Sequence, residues 1–235
     1  MIKNYKNWLN ENSWMGIPSE LTRVQIIAWC DKWLGGRWKP VIHYKIEVKG
    51  DVTLKNMKDK EIPVYFSDHR SKFTIEDCKN LETLKGCPVV VDEFRLVDCP
   101  SIQTLESGPK EAKEYHIQNL GIKNLIGSPK VVTSVFNCAN NDFLESFEGA
   151  PEKIEGGENI FYAVHCPKIK TLFGASVADA YFIDTETIEN PIEKEWLIKQ
   201  NANLDLIHTW LNSKMPIEEF LIKKRGLVSG KKYGL

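Results

Sequence analysis

The chain has 235 residues, 42% of them hydrophobic and 27% charged, which is enough to bury a sizeable core in one or two units. With 31 basic against 32 acidic side chains the formal net charge is −1, so no global positive field exists to hold a nucleic acid or an anionic membrane. No run of about 18 apolar residues offers a membrane span, and the first residues lack the apolar stretch of a secretion signal, so a soluble protein of the cytosol is expected. The six cysteines, Cys30, Cys78, Cys87, Cys99, Cys138 and Cys166, include no C-x-x-C pair, which argues against zinc and for reduced core thiols.

In chain order, Tyr5, Trp8, Leu9 and Glu11 come first, at the spacing of a short amphipathic helix. Ser19 then stands where it can cap a helix carrying Leu21, Val24, Ile27, Ala28, Trp29 and Trp33 on one face and ending at Gly35-Gly36. Residues 1–50 are therefore read as an N-terminal helical cap with a lead-in strand.

Residues 51–188 carry the main signal, a repeat of about 21 residues. Phe73, Ile75, Cys78, Leu81, Leu84, Gly86 and Pro88 set a frame F-x-I-x-x-C-x-x-L-x-x-L-x-G-x-P. It returns as Phe94, Leu96, Cys99, Ile102, Leu105 and Pro109, with Ser107 in the glycine place. A third copy has Tyr115, Ile117, Leu120, Ile122, Leu125, Gly127 and Pro129. A fourth has Phe136, Cys138, Asn141, Leu144, Phe147, Gly149 and Pro151, and a fifth has Phe161, Ala163, Cys166, Ile169, Leu172 and Gly174. Val52, Leu54 and Met57 fit a degenerate first turn, and Phe182 opens a last one. Residues i and i+2 share one side of a strand, and one coil cannot bury its own apolar edge, so the expected fold is an α/β solenoid of about six stacked parallel-strand coils. The cysteine row and Asn141 are read as inward corners, and the glycines as tight turns.

Residues 189–235 are expected to supply a C-terminal cap and a tail. Ile192–Leu211 offers Trp196, Leu197, Leu204, Ile207, Trp210 and Leu211 as an apolar helix face, and Pro216 starts a second short helix. Lys223, Lys224, Arg225, Lys231 and Lys232 form a basic tail, the one candidate for nucleic-acid contact in a chain otherwise ill-suited to it.

The pattern L-x-L-x-x-(C/N)-x-x-L resembles the leucine-rich repeat. A narrower likeness lies in Phe136-Asn137-Cys138-Ala139-Asn140-Asn141 followed by Phe147-Glu148-Gly149-Ala150-Pro151, which resembles repeat proteins of tailed bacteriophages. The lead-in Val48-Lys49-Gly50-Asp51-Val52-Thr53-Leu54, then Ile62-Pro63-Val64-Tyr65-Phe66, is similar to the segment that precedes those repeats. The resemblance covers roughly residues 20–185 and implies the solenoid and a phage source more than any activity. The opening Tyr5, Trp8, Leu9 and Glu11 also resembles peptides that direct internal proteins into phage heads.

The residues between the inward positions line one face. Thr53, Thr74, Arg95, His116, Asn137 and Tyr162 form one row, beside Lys55, Glu76, Val97, Gln118, Ala139 and Val164. Charged, amide, aromatic and small apolar groups in one surface suit a protein partner. The expected contact residues are Arg95, His116, Asn137, Tyr162, Val97, Gln118 and Val164. A third row, Asn56, Asp77, Asp98, Asn119, Asn140 and His165, is read as backbone-bonding and too poor in acids for calcium. P-loop, G-x-G-x-x-G, G-x-S-x-G and H-E-x-x-H patterns are absent, and His116 and His165, although able to approach acids across coils, have no paired nucleophile. The expectation is a non-enzymatic protein without cofactor or metal, binding and inhibiting a host protein in the host cytoplasm, with a packaged virion component as the alternative.

Overall fold

The structure, a computed structural model, describes residues 22–41, 45–199 and 204–232; the side chains of residues 23, 199, 204 and 225–232 are not among those described. Tyr5, Trp8, Leu9, Glu11 and Ser19 lie outside the described residues. The first helix, α1, spans Arg23–Leu34. Its N-cap is Thr22, whose hydroxyl accepts the Gln25 N–H while the Gln25 side chain accepts the Thr22 N–H, a reciprocal capping box. Gly35 ends it at φ 57, a conformation that favours glycine. The buried stripe is Ile26, Trp29, Cys30 and Leu34, whereas Val24 and Ala28, expected on that face, point to solvent.

Strands β1 (Trp38–Pro40) and β2 (Lys45–Val48) pair antiparallel, and β2 then runs parallel to β4 (Tyr65–Phe66) in a small sheet. The main sheet is parallel and seven-stranded, in the order β10-β9-β8-β7-β6-β5-β3. Its members are β3 (Val52–Lys55), β5 (His69–Glu76), β6 (Val90–Val97), β7 (Glu111–Gln118), β8 (Val131–Asn137), β9 (Ile160–Ala163) and β10 (Ala180–Ile183). Turns connect these strands and the longer helices lie at the flanks, so the expected solenoid of stacked parallel-strand coils is a parallel β-solenoid. It has seven coils rather than about six, because both the degenerate first turn and the last strand join the sheet.

The register follows the repeat. Val52, Phe73, Phe94, Tyr115, Phe136, Phe161 and Tyr181 align strand by strand. From Phe73 to Phe161 the rings stack at 6.3, 5.1, 5.7 and 5.7 Å. Such ring pairs add about 0.5–1.5 kcal/mol each to the burial itself. Tyr181 therefore takes the inward place expected for Phe182, which turns outward and is 47% exposed.

The corners after each strand have one physical cause. Asn56, Asp77, Asp98, Asn119, Asn140 and His165 all adopt left-handed φ of 53–57°, the region that short polar side chains tolerate best after glycine. The turn brings the next residue inward: Met57, Cys78, Cys99, Leu120, Asn141 and Cys166 are all buried. Asn141, fully buried, accepts the Leu120 N–H at 3.0 Å and donates to the carbonyls of Ile117 and Cys138 at 2.9 and 2.8 Å. It fills the inward corner expected from the sequence and also clamps the backbone of the preceding coil. All six cysteines are buried and free of disulfides.

At the opposite corner Gly127 has φ +96, and a Cβ there would sit 2.3 Å from the Glu106 backbone nitrogen of the preceding coil. Gly127 thus lets two coils stack backbone on backbone, while the second repeat takes the same corner with Ser107 at φ 64.

Helices α2 (Pro191–Lys199) and α3 (Leu204–Ser213) replace the single segment expected over Ile192–Leu211. Trp196, Leu197, Ile207, Trp210 and Leu211 are buried, while Ile192 faces solvent and the Leu204 side chain lies outside the described residues. From the first turn of α2, buried Glu193 accepts the Thr171 hydroxyl and the Leu172 N–H, tying the helix to the fifth repeat. Helix α4 (Ile217–Lys232) runs on past the short helix expected, so the basic residues Lys223, Lys224, Arg225, Lys231 and Lys232 lie on helical backbone rather than in a tail; the side chains of Arg225, Lys231 and Lys232 lie outside the described residues. Among the described residues no helix is long and apolar enough to cross a membrane.

Candidate protein-interaction surface

Alternation along the strands sends every second side chain out of the coil, and the parallel register assembles these into rows. One row runs Thr53, Thr74, Arg95, His116, Asn137, Tyr162 and Phe182, each beside the next. A second holds Lys72, Glu93, Glu114, Val135, Ile160 and Ala180. A third begins Lys55, Glu76, Val97 and Gln118, and Val164 follows β9, its carbonyl accepting the Asn140 N–H. The structure therefore brings Arg95, His116, Asn137 and Tyr162 together in one line, flanked by Val97, Gln118 and Val164, all partly exposed.

The N-terminal half of this face is a closed charge lattice. Glu93 and Glu114 stand directly opposite one another on β6 and β7, an arrangement that repels unless compensated. Lys72 lies 3.0 Å from Glu93, and the Arg95 Nε donates to the same oxygen. His116 Nε2 lies 3.1 Å from Glu114. Burial pushes the Glu93 carboxyl up, but its bonds to Arg95 and Lys72 outweigh this and hold it below its usual range. Burial holds the His116 imidazole below its usual range against the pull of Glu114. With His116 neutral, Lys72 and Arg95 balance Glu93 and Glu114. Lys55 pairs with Glu76 at 2.6 Å and Lys113 with Asp92 at 2.9 Å, extending the lattice.

Donor atoms of Glu93, Glu114 and His116 lie within 4.8 Å of one another, the right types for a divalent cation. A cation entering there competes with Lys72 and Arg95 for Glu93. The acid that His116 meets is Glu114 of its own strand, with Glu93 across the coil. His165 turns away from the face: its N–H donates to the Asp184 carboxylate and its Nδ1 lies 3.0 Å from Asn140 Oδ1. In the same polar row Asn119 Nδ2 donates to Asp98 Oδ1 at 2.7 Å, so this ladder is bonded along the stack.

The C-terminal half differs. Tyr162 and Phe182 stack at 4.5 Å and 11°, and Ile160, Val164 and Ala180 surround them. Asn137 is the polar member, and its side-chain oxygen accepts the Ala139 N–H at 3.0 Å. Sequence reasoning missed Lys72, Glu93 and Glu114, although the i−2 spacing from Thr74, Arg95 and His116 marks them as face neighbours. It also missed Phe182 as a surface residue.

No family model matches the chain, and neither the curated proteins nor the solved structures contain a match to it.

Proposed function

We propose that this protein is a non-enzymatic interaction module whose outer sheet face binds a protein partner. The observation that carries the reading is the in-register row from Arg95 through His116, Asn137 and Tyr162 to the exposed Phe182, a continuous mixed surface on a rigid stack. Aromatic and arginine side chains are the residues that most often anchor protein interfaces. The resemblance to leucine-rich repeat proteins of tailed bacteriophages supports a host protein as the partner, with binding that inhibits it during infection in the host cytoplasm. In this reading α1 and α2–α4 cap the ends of the solenoid, an inference supported by Trp29, Leu34, Trp196 and Trp210 sharing one hydrophobic cluster with the coils.

Affinity purification of the tagged protein from infected cells, with mass spectrometry, tests the proposal. One host protein is expected, lost when Arg95, His116 and Tyr162 are replaced together by alanine while the fold is kept. Recovery in purified virions with structural proteins, and from no host complex, would replace it with the packaged component.

A further inference from the structure

Resting on that reading, we infer that the docking site is the β8–β10 half of the outer face, and that its occupant is a short extended segment of the partner carrying an aromatic residue flanked by lysine or arginine. Three observations converge on this occupant. Phe182 is 47% exposed and uses one ring face against Tyr162; β10 is the last strand of the sheet, and no other described ring contacts Phe182. An aromatic side chain added at the end of the row continues the stack.

The rim is acidic. None of the ion pairs among the described residues involves Asp179, Asp184 or Glu186, which surround β10 in the chain. Asp179 accepts the Asn159 side-chain amide and Asp184 the backbone N–H of His165, both neutral donors. Acids that flank β10 in the chain and join none of these ion pairs complement a cation next to an aromatic, with Lys153 near Asp179 and Lys194 on the Glu186 carbonyl as the cations already close by, and a guanidinium can also lie over the ring itself. The same anions repel a phosphate backbone, which sets nucleic acid aside.

Size decides between a segment and a globular partner. Three strands about 4.8 Å apart, with three or four residues each, span roughly 150–200 Å². A stable globular interface buries about 800 Å² on each partner, so this patch alone is too small to hold a second copy of the chain. It matches a peptide of about three to five residues, whose alternate side chains meet the sheet.

The test is a titration of the ¹⁵N-labelled full chain with three blocked pentapeptides, Gly-Arg-Trp-Arg-Gly, Gly-Glu-Trp-Glu-Gly and Gly-Arg-Ala-Arg-Gly. The first should move the amide signals of Tyr162, Phe182 and Asp184, with the other two weaker by at least about tenfold. Phe182→Ala should lose at least about tenfold in affinity. Phe182→Tyr and Lys60→Ala, the latter an exposed site off this face, should bind as the parent does. Equal binding of the acidic peptide, binding kept by Phe182→Ala, or no response to any peptide overturns the inference. Shifts centred on Arg95 and His116 also overturn it, while leaving the protein-binding function standing. Self-association through the same signals, seen by sedimentation without peptide, gives the patch to a second copy instead. The capture experiment above fails or succeeds independently of these peptides.

Discussion

Strands β5–β7 and β8–β10 share one register and one core, yet their outer faces have opposite chemistry. On β5–β7 the charges around the centre of the face are paired within the sheet: Lys72 and Arg95 hold Glu93, His116 meets Glu114, and Lys113 meets Asp92. On β8–β10 the outward residues are Val135, Ile160 and Ala180 beside Asn137, Tyr162 and Phe182. The difference shows that a repeat fixes what points inward and leaves the outward row free to vary. A paired ionic surface offers less to a partner than an open one, because each new contact must first break an old one. An exposed aromatic pair has no such debt.

The largest perturbation erases the comparison altogether. Gly127 lies in the connection from β7 to β8, at the boundary between the halves. Gly127→Ala forces a Cβ to within 2.3 Å of Glu106 backbone at φ +96, and should cost about 3 kcal/mol or more. A fall in melting temperature by circular dichroism checks this. Asn141→Ala is the next largest, about 2–3 kcal/mol, because it orphans the Leu120 N–H and the Ile117 carbonyl in a dry corner. Asn141→Cys should cost less, since cysteine fills the same corner at Cys78, Cys99 and Cys166; urea unfolding of the pair ranks them.

Acid should weaken the charged half specifically. Burial lowers the proton affinity of both His116 and His69, so the unfolded chain takes up protons first as pH falls. The stability these two groups contribute is present above the usual histidine range near 6.5 and is lost as pH drops through their lower folded values. His116→Gln should flatten part of that loss in unfolding curves taken between pH 7 and about 5, a window chosen around the ordinary histidine value. The smallest effect on stability belongs to the open half: Phe182→Ser should change unfolding by less than about 1 kcal/mol, because the ring is half in water already. A large loss there would mean that Phe182 is structural and that the halves do not differ as described.

The solenoid was legible because its inward row repeats Phe, Ile, Cys and Leu at fixed offsets, and packing tolerates few alternatives there. The turn glycines were legible for the same reason, each facing the backbone of a neighbouring coil. The last coil was misframed because a period of 21 carries Phe161 to Phe182, whereas the register pairs Phe161 with Tyr181, one residue sooner. Two adjacent aromatics gave no compositional sign of the slip. The face row from Arg95 to Tyr162 followed from alternation alone. Its ionic closure did not, because Lys72, Glu93 and Glu114 acquire meaning only once β5, β6 and β7 lie side by side.

The central claim is that the outer face works through its apolar half. Its most direct test is capture of the same partner in parallel by two double variants, Glu93→Ala with Arg95→Ala and Tyr162→Ala with Phe182→Ala, each quantified against the parent. The account predicts that the aromatic pair loses at least about tenfold in recovered partner and the charged pair loses several-fold less. Loss with the charged pair and retention with the aromatic pair would contradict it.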